Sequence, residues 1–227
     1  METKMFNILI IDDHPLIAQA YMLALNELKK SKEDIDFIID ICHNCTDGYE
    51  TIKETVSNKK SIDLVFLDIS LPPTKDGKIL SGEDLGIKFR ELLPETKIIV
   101  STTYSDNYRI HNIIKSVNPE GFLIKNDLDP DELIKAIEAV LDGKLYFTES
   151  VLEVLRNNVS SDHMLDSMDR RILYELSIGT KMKDIPNVLP LSIAGIEKRK
   201  RNLKVIFNIK KNSDKDLIQL AKKKGFI

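Results

Sequence analysis

The stretch Asn7-Ile8-Leu9-Ile10-Ile11-Asp12-Asp13 is an apolar run that ends on two adjacent acids. A second stretch, Leu64-Val65-Phe66-Leu67-Asp68, repeats the pattern and ends on a single acid. The runs Lys97–Ser101 and Gly121–Ile124 have the same character. Short apolar runs rich in β-branched residues are typical of strands buried on both faces, as in a parallel sheet covered by helices. The sequence therefore predicts a parallel α/β sheet in the first half of the chain.

The acids at the ends of the first two runs are predicted to share one pocket. In parallel α/β sheets, ligands bind beyond the carboxyl ends of the strands, and Asp12, Asp13 and Asp68 all fall there. Three carboxylates in a small volume repel one another unless a cation lies among them, and a few hard oxygen ligands suit Mg²⁺. Beside such a metal, one carboxylate can attack a phosphoryl group and form an aspartyl phosphate. The alternative is that Asp12 and Asp68 only cap the helices that follow them.

Two further strand ends carry groups that favour the phosphoryl interpretation. Thr102 lies at the carboxyl end of the run Lys97–Ser101, and Lys125 directly follows Gly121–Ile124. A hydroxyl and an ammonium on neighbouring parallel strands are suitable hydrogen-bond and charge partners for a phosphorylated aspartate. The order of acidic pair, acid, threonine and lysine therefore favours a phosphoacceptor site over simple helix capping.

This ordered set resembles the receiver domain of two-component response regulators, over roughly the first half of the chain. The resemblance implies a flavodoxin-like (βα)5 fold with a five-stranded parallel sheet in the order 2-1-3-4-5. It also implies Mg²⁺ as cofactor and a sensor histidine kinase as phosphoryl donor. The residues that it implies are Asp68 as phosphoacceptor, Thr102 and Lys125 as its catalytic partners, Phe122 as an aromatic switch, and Asp12, Asp13, Asp68 and the carbonyl of Ser70 as metal ligands.

One segment departs from the receiver pattern. Residues 72–81 separate Asp68 from Gly82, which looks like the start of the next helix, and imply an insertion of about six residues. The segment is polar, begins with two prolines and contains Gly77, so we expect a surface loop. A tolerated insertion without a role is the favoured interpretation, because lengthening a surface loop costs little stability. The alternative is a lid that alters access to Asp68 or the choice of partner.

Composition suggests a protein of two modest domains among 227 residues. No run is apolar and long enough to span a bilayer, and the first residues lack the apolar core of a signal peptide, so a cytoplasmic location is expected. Cys42 and Cys45 have CxxC spacing, but no second cysteine pair completes a zinc site, and the context is not that of a thioredoxin-type motif. They are interpreted as ordinary reduced thiols.

Charge is divided unevenly along the chain. Residues 163–227 hold 15 Lys and Arg against 7 Asp and Glu, a net charge of +8, whereas the preceding residues carry −11. A basic domain of this size is typical of nucleic-acid binding, although a solvated lysine-rich surface is the alternative. The basic residues Lys198-Arg199-Lys200-Arg201 and Lys204 fall in one predicted helix that begins near Ser192, a good N-cap. Its opposite face is apolar, with Ile196, Leu203 and Phe207.

Two helices are predicted upstream of this basic helix. One covers Asp169–Leu176 and ends at Gly179, and a short one covers Lys181–Leu189 before the turn at Pro190-Leu191. Helix, turn and basic helix form a helix-turn-helix arrangement, with the second helix entering the major groove. The sequence thus predicts a small all-α domain at the end of the chain.

This second region resembles the LuxR-type (NarL/FixJ-class) four-helix DNA-binding domain over about the last sixty residues, with a final helix over Ser213–Lys224. The resemblance implies double-stranded DNA as a partner and a homodimer in the active state. Glu197 stands where the family usually has a lysine. Of the implied DNA contacts, Lys198 and Arg201 are expected to face bases, and Arg199 and Lys204 to hold phosphates. The full set is Lys198, Arg199, Arg201, Asn202 and Lys204.

These observations predict a receiver over residues 1–143, a partly helical linker over 144–162 and a helix-turn-helix domain over 163–227. A linker helix is expected over Thr148–Asn158, followed by a flexible stretch at Val159–Asp162. The predicted function is a phosphorylation-dependent transcription regulator that is not an enzyme.

Three alternative functions remain. The first is a signalling module whose basic domain binds a protein partner or an acidic membrane. The second is a phosphatase with an aspartate nucleophile, which usually needs an Asp-x-Asp signature, whereas Asp12 and Asp13 are adjacent. The third is a regulator that no longer uses phosphorylation, and the intact acidic set argues against it.

Overall fold

The computed structural model describes residues 3–104, 106–156, 165–209 and 213–227. The chain divides into two compact units, Met1–Ser105 with Ile113–Asn158, and Asp106–Asn112 with Val159–Ile227. The flexible stretch predicted at Val159–Asp162 lies outside the described residues, as does the end of the predicted linker helix. The boundaries drawn from the sequence at residues 143 and 162 stay predictions.

The first unit is built on a parallel sheet. Its strands, as described, are β1 (Lys4–Ile11), β2 (Ile35–Cys42), β3 (Leu64–Asp68), β4 (Lys97–Thr102), β5 (Gly121–Ile124) and β6 (Tyr146–Phe147). Their order is β2-β1-β3-β4-β5-β6, and each neighbouring pair is parallel. The predicted flavodoxin-like order is therefore confirmed for the first five strands, and a sixth strand is added at the edge.

Helices follow the strands in alternation. They are α1 (Pro15–Ser31), α2 (Cys45–Ser57), α3 (Gly82–Leu92), α4 (Asn107–Val117), α5 (Pro130–Leu141) and α6 (Glu149–Arg156). Residues of α1 and α5, among them Leu25 and Ile137, form one core cluster with Phe66 of β3. On the other face, a Cβ at Gly48 of α2 would lie only 3.1 Å from Ile11 of β1 and 3.2 Å from Leu85 of α3, so α2 packs closely on both elements. Because both faces of the sheet are covered, the strands β3 and β5 are buried along their whole length.

The segment after α5 continues the first unit. The N–H of Thr148 donates to the carbonyl of Phe122 at 3.1 Å, and the Thr148 hydroxyl accepts from the N–H of Ile124 at 3.3 Å. Val151 and Val154 of α6 are buried. These contacts satisfy backbone groups that β5 would otherwise leave unpaired at a sheet edge. The predicted linker helix is observed as α6, and it packs on the receiver rather than standing apart from it.

The inserted loop between β3 and α3 is ordered by its own hydrogen bonds. The hydroxyl of Thr74 donates to Asp76 Oδ1 at 2.6 Å and accepts from the N–H of Ile79 at 3.2 Å. Gly77 has φ +64°, a left-handed conformation that glycine adopts without strain. Thr74, Ile79 and Leu80 are buried, so the predicted surface loop is in part a packed element.

The second unit contains the first half of α4 and the helices α7 (Ser167–Ser177), α8 (Ile193–Ile206) and α9 (Asp214–Lys223). Ser192 caps α8, as predicted, by accepting from the N–H of Gly195 at 3.2 Å, and Ser213, the predicted first residue of the last helix, caps α9. The short helix predicted over Lys181–Leu189 is wrong, because only a 3₁₀ turn at Ile185–Asn187 forms there. Pro186 removes a backbone donor within that segment, and a single 3₁₀ turn tolerates this better than a continuing α-helix.

The two cysteines lie near each other in the chain, at the junction of β2 and α2. Cys42 ends β2 and Cys45 begins α2, and both thiols are free and buried. Burial raises the pKa of the Cys45 thiol to about 12, which keeps it protonated and unreactive at neutral pH.

Within the described parts of the chain, no helix combines the length and apolar character needed to cross a membrane.

Candidate functional site

Asp12 and Asp68 lie side by side at the carboxyl edge of the sheet. Ile11 of β1 pairs with Leu67 of β3, so the next residues of both strands come together. Asp12 and Asp68 are almost completely buried, at 1% and 2% exposure. The N-caps of the helices α1 and α3 are His14 and Ser81. Helix capping therefore does not explain either aspartate.

Lys125 supplies the positive charge of this pocket. Its Nζ lies 2.7 Å from Oδ2 of Asp12 and 2.9 Å from Oδ2 of Asp68. The other oxygens of the two carboxylates accept backbone N–H groups, with Asp12 bonded to His14 and Asp68 to Ser70, each at 2.9 Å. Each buried carboxylate thus has both a charged and a backbone partner, as buried ions require.

Burial and charge act in opposite directions on these groups. Burial raises the pKa of Asp68 above its ordinary value, and the nearby Lys125 ammonium offsets only part of that effect. Burial alone would lower the pKa of Lys125, but the charges and hydrogen bonds of Asp68 and Asp12 outweigh it and raise that pKa. Lys125 therefore stays protonated at neutral pH, and the proton affinity of Asp68 is increased.

A wider group of donors forms a candidate metal centre. One ligand atom each of Asp12, Asp13, His14 and Asp68 lies within 4.8 Å of the others. Asp13 is about one-third exposed, and its Oδ1 lies 2.7 Å from Nδ1 of His14. The hydroxyl of Ser70 is buried without a hydrogen-bond partner among the described residues. Three carboxylates, of which Asp13 is partly open to water, beside a spare oxygen, fit the oxygen preference of Mg²⁺.

His14 was not among the residues selected from the sequence. Its proximity to Asp13 follows from its place directly after the acidic pair, where the chain turns into α1. The adjacency Asp12-Asp13-His14 was therefore a usable signal. The metal contact predicted for the carbonyl of Ser70 stays a prediction.

Thr102 and Phe122 lie in the neighbouring strands. Thr102 ends β4 and is buried, and its hydroxyl accepts from the N–H of Tyr104 at 3.1 Å. In the sheet, Thr102 pairs with Ile124, the residue before Lys125. Phe122 of β5 is completely buried. The predicted switch residue thus already occupies the interior in this structure, and its role in switching stays a prediction.

Comparison with known families agrees with this arrangement. Residues 8–138 match the response regulator receiver domain. The chain belongs to the response regulator family. The matched segment begins in β1 and ends in α5, so it contains Asp12, Asp13, Asp68, Thr102 and Lys125.

Relatives extend the similarity along the whole chain of this response regulator. It is 28% identical over 233 residues to the oxygen regulatory protein NreC of Staphylococcus epidermidis, covering 97% of this chain and 98% of NreC. Two solved structures of RcsB from Salmonella enterica serovar Typhimurium also match. One is bound to promoter rprA, with 21% identity and a TM-score of 0.61, and covers 96% of this chain and 98% of RcsB. The other is bound to promoter P1flhDC, with 22% identity and a TM-score of 0.60, and covers 98% and 99%.

At that identity the RcsB likeness shows the fold alone. The predicted architecture, a receiver followed by a small helical domain, is confirmed by it and by the receiver match.

The exposed face of α8 is the candidate nucleic-acid interface. Ile196 and Leu203 point into the core of the second unit. The residues of α8 that are exposed are Ile193, Ala194, Glu197, Lys198, Arg201, Asn202 and Val205. Lys198 and Arg201 are thus exposed to solvent, and their predicted contacts to bases stay predictions.

Three other cations of α8 have intramolecular partners. Arg199 Nη1 lies 2.8 Å from both Asp166 Oδ2 and Asp169 Oδ1, which join α8 to the start of α7. Lys200 and Lys204 both bond to Asp214 of α9. The phosphate contacts predicted for Arg199 and Lys204 stay predictions, and these ion pairs weigh against them. These pairs could not be predicted from the sequence, because the acids lie 10 to 33 residues from their partners.

Proposed function

We propose that this response regulator controls transcription by phosphorylation. Asp68 accepts a phosphoryl group from a sensor histidine kinase, and the C-terminal domain binds double-stranded DNA. One observation carries the proposal: Asp68 is a buried carboxylate at the end of β3, with Lys125 and the acids Asp12 and Asp13 around it. Acids arranged in this way suit a phosphoacceptor with a divalent cation.

Asp12, Asp13, Asp68 and the carbonyl of Ser70 would hold Mg²⁺. When bound, the ion supplies positive charge that neutralises the incoming phosphoryl group. An Asp68 carboxylate oxygen attacks phosphorus, the bond from phosphorus to the donor imidazole nitrogen breaks, and the imidazole leaves with that electron pair and takes a proton from water. Lys125 remains beside the product as a charge-assisted hydrogen-bond donor.

Thr102 is the group through which phosphorylation alters the sheet edge. Its buried hydroxyl is bonded only to a loop N–H among the described residues, so it can also donate to a phosphoryl oxygen. Moving Thr102 alters the start of the segment between β4 and α4. A dianionic group at Asp68 thus shifts the population of receiver conformations.

An apolar groove beside Lys125 supports a kinase as the donor. It lies between α1 and the start of α5, and it is lined by Ile17, Ala20, Ala24, Leu128, Leu133 and Ile134. Leu16 and Leu23 of α1 are strongly exposed, at 79% and 65%. An exposed apolar surface next to a reactive carboxylate is typical of a protein-docking surface, which a phosphodonor domain would cover.

DNA binding rests on the exposed face of α8 and on the charge of the second unit. Lys198 and Arg201 reach bases or phosphates of the major groove, and Glu197 accepts a hydrogen bond from the exocyclic amine of cytosine. Two copies of the chain present paired helices to a two-part site. A solved structure of RcsB, 22% identical to this chain, contains two RcsB dimers bound to two parallel DNAs and supports this arrangement. The proposal places the protein in the cytoplasm, with no membrane partner and no turnover of a phosphate ester.

Selection from a random duplex library, with and without a small phosphodonor and Mg²⁺, tests the proposal. We expect enrichment of a two-part sequence motif that strengthens when the phosphodonor is present. Equal recovery of all sequences under both conditions would exclude sequence-specific binding. In that case the helical domain would be assigned to a protein partner.

A further inference from the structure

The basic residues of α8 fall into two groups that differ in their surroundings. Lys198 and Arg201 are exposed, whereas the side chains of Lys200 and Lys204 are only 16% and 9% exposed. All four belong to the stretch that gives the second unit its basic character. The structure therefore separates cations that can meet a ligand directly from cations that are already partly covered.

Asp214, in the first turn of α9, is the acid that covers the second group. Its Oδ2 lies 2.9 Å from Nζ of Lys200, and its Oδ1 lies 2.6 Å from Nζ of Lys204. Burial raises the pKa of Asp214, but the hydrogen bonds from Lys204 and Lys200 outweigh it and lower that pKa. Asp214 is therefore ionised at neutral pH and uses each carboxylate oxygen for one lysine of α8.

We propose that Asp214 is a specificity-determining residue, which withdraws Lys200 and Lys204 from DNA phosphates. This inference rests on the proposed DNA binding. Asp214 touches no base itself. It sets how much of the affinity is independent of sequence.

The physical reason is the origin of non-specific affinity. Each phosphate neutralised by a lysine or arginine adds about 0.9 to the slope of log affinity against log salt, whatever the sequence. Two lysines released to phosphates would add about 1.8 and would strengthen binding to every duplex. While they are paired with Asp214, these lysines add little to the sequence-independent affinity. Glu197, Lys198 and Arg201 therefore contribute a larger share of the binding free energy.

The test compares two variants of the full-length protein. Asp214→Asn removes the acid, and Asp216→Asn is the matched control. Asp216 lies in the same first turn and loses the same charge, and it makes no ion pair among the described residues. Affinities for a random-sequence duplex and for the selected motif are measured over a salt series.

We expect Asp214→Asn to bind random duplex at least about tenfold more tightly at 0.1 M salt, with a slope steeper by up to about two. Its ratio of motif to random affinity should fall, whereas Asp216→Asn should stay close to wild type. If the two variants behave alike while wild type selects a motif, the inference is overturned and the proposed function stands. If wild type selects no motif, the proposed function itself fails.

A second pair of variants covers the case that Asp214→Asn folds poorly. Lys200→Gln with Lys204→Gln should leave the salt slope of the wild type unchanged, because these lysines are already withdrawn. Lys198→Gln with Arg201→Gln should instead lower the ratio of motif to random affinity, because these residues are expected to face bases. A fall of the salt slope by about two in Lys200→Gln with Lys204→Gln would show that these lysines do contact phosphates, and it would overturn the inference.

Discussion

The ammonium of Lys125 lies 2.9 Å from Oδ2 of Asp68, and both side chains are nearly inaccessible to water. The residue that the family resemblance assigns to the phosphoryl group is thus the internal counterion of the acceptor before phosphorylation. The same ammonium also contacts Asp12 at 2.7 Å. The pocket therefore holds two buried carboxylates on one buried cation, and its stability should depend on that cation.

Replacing this cation should destabilise the first unit in a pH-dependent way. In Lys125→Met, Asp12 and Asp68 lose their counterion, and we expect the free energy of unfolding at pH 7 to fall by about 3 kcal/mol. Without the lysine the pKa of Asp68 rises further, so its ionised form opposes folding above about pH 4. The loss of unfolding free energy should shrink as the pH falls toward 4, where Asp68 takes up a proton. Urea unfolding at several pH values measures this.

Lys97→Met is the matched control for that experiment. Lys97 begins β4 of the first unit, and its Nζ donates to the carbonyl of Leu141 at 2.7 Å rather than to a carboxylate. Its replacement should lower the free energy of unfolding by an amount that hardly changes between pH 4 and pH 7. A loss of equal size at both pH values in Lys125→Met would contradict the counterion role.

Asp68→Asn should stabilise the metal-free protein at neutral pH. Burial raises the pKa of Asp68 in the folded state, so its ionised form lowers stability as the pH rises above the unfolded pKa near 4. The amide keeps the shape and an oxygen acceptor without the charge. We expect a higher Tm at pH 7 and no gain below about pH 4. A lower Tm at pH 7 would mean that the bond to Lys125 outweighs the burial.

The inserted loop should depend on a single hydroxyl. Thr74→Val keeps the volume of the side chain but removes the acceptor for the N–H of Ile79 and the donor to Asp76. An amide left without a partner in a buried turn costs about 1–3 kcal/mol locally. Hydrogen exchange at Ile79 should therefore accelerate by tenfold or more, while β3 keeps its protection. Unchanged exchange at Ile79 would show that packing of Ile79 and Leu80 alone orders the loop.

The sixth strand should stabilise the receiver. Thr148→Val removes the hydroxyl that accepts from the N–H of Ile124 and leaves that buried N–H unpaired. We expect the free energy of unfolding to fall by about 1–2 kcal/mol. Ser150→Ala is a control, since Ser150 bonds to Asp127 at the exposed surface. Equal free energies of unfolding for wild type and Thr148→Val would show that this hydrogen bond after β6 does not stabilise the receiver.

Much of the phosphoacceptor site could be predicted because strand ends determine it. Each of Asp12, Asp68 and Thr102 lies at or directly after the end of an apolar run, and parallel strands bring their ends to one edge. The helix caps at Ser192 and Ser213 were predictable for a similar reason, since they depend on local sequence.

Long-range features were less accessible to sequence reasoning. Strand β6 has only two residues, Tyr146 and Phe147, too few to show a period. The positive charge of α8 could be predicted from its basic stretch. The ion pairs of Asp214 with two of its lysines, Lys200 and Lys204, could not. The segment around Pro186 showed helix-compatible residues, yet only a 3₁₀ turn forms. In each case a tertiary contact or a missing backbone donor decides the outcome.

The measurement that most directly tests the central claim is phosphorylation of the purified full-length protein. It is incubated with a small phosphodonor and Mg²⁺, and the modified residue is mapped by mass spectrometry in wild type, Asp68→Asn and Asp40→Asn, the last an exposed control on β2. We predict that wild type and Asp40→Asn each gain one phosphoryl group, located on Asp68, and that Asp68→Asn gains none. Undiminished labelling of Asp68→Asn would contradict the assignment of Asp68 as the phosphoacceptor.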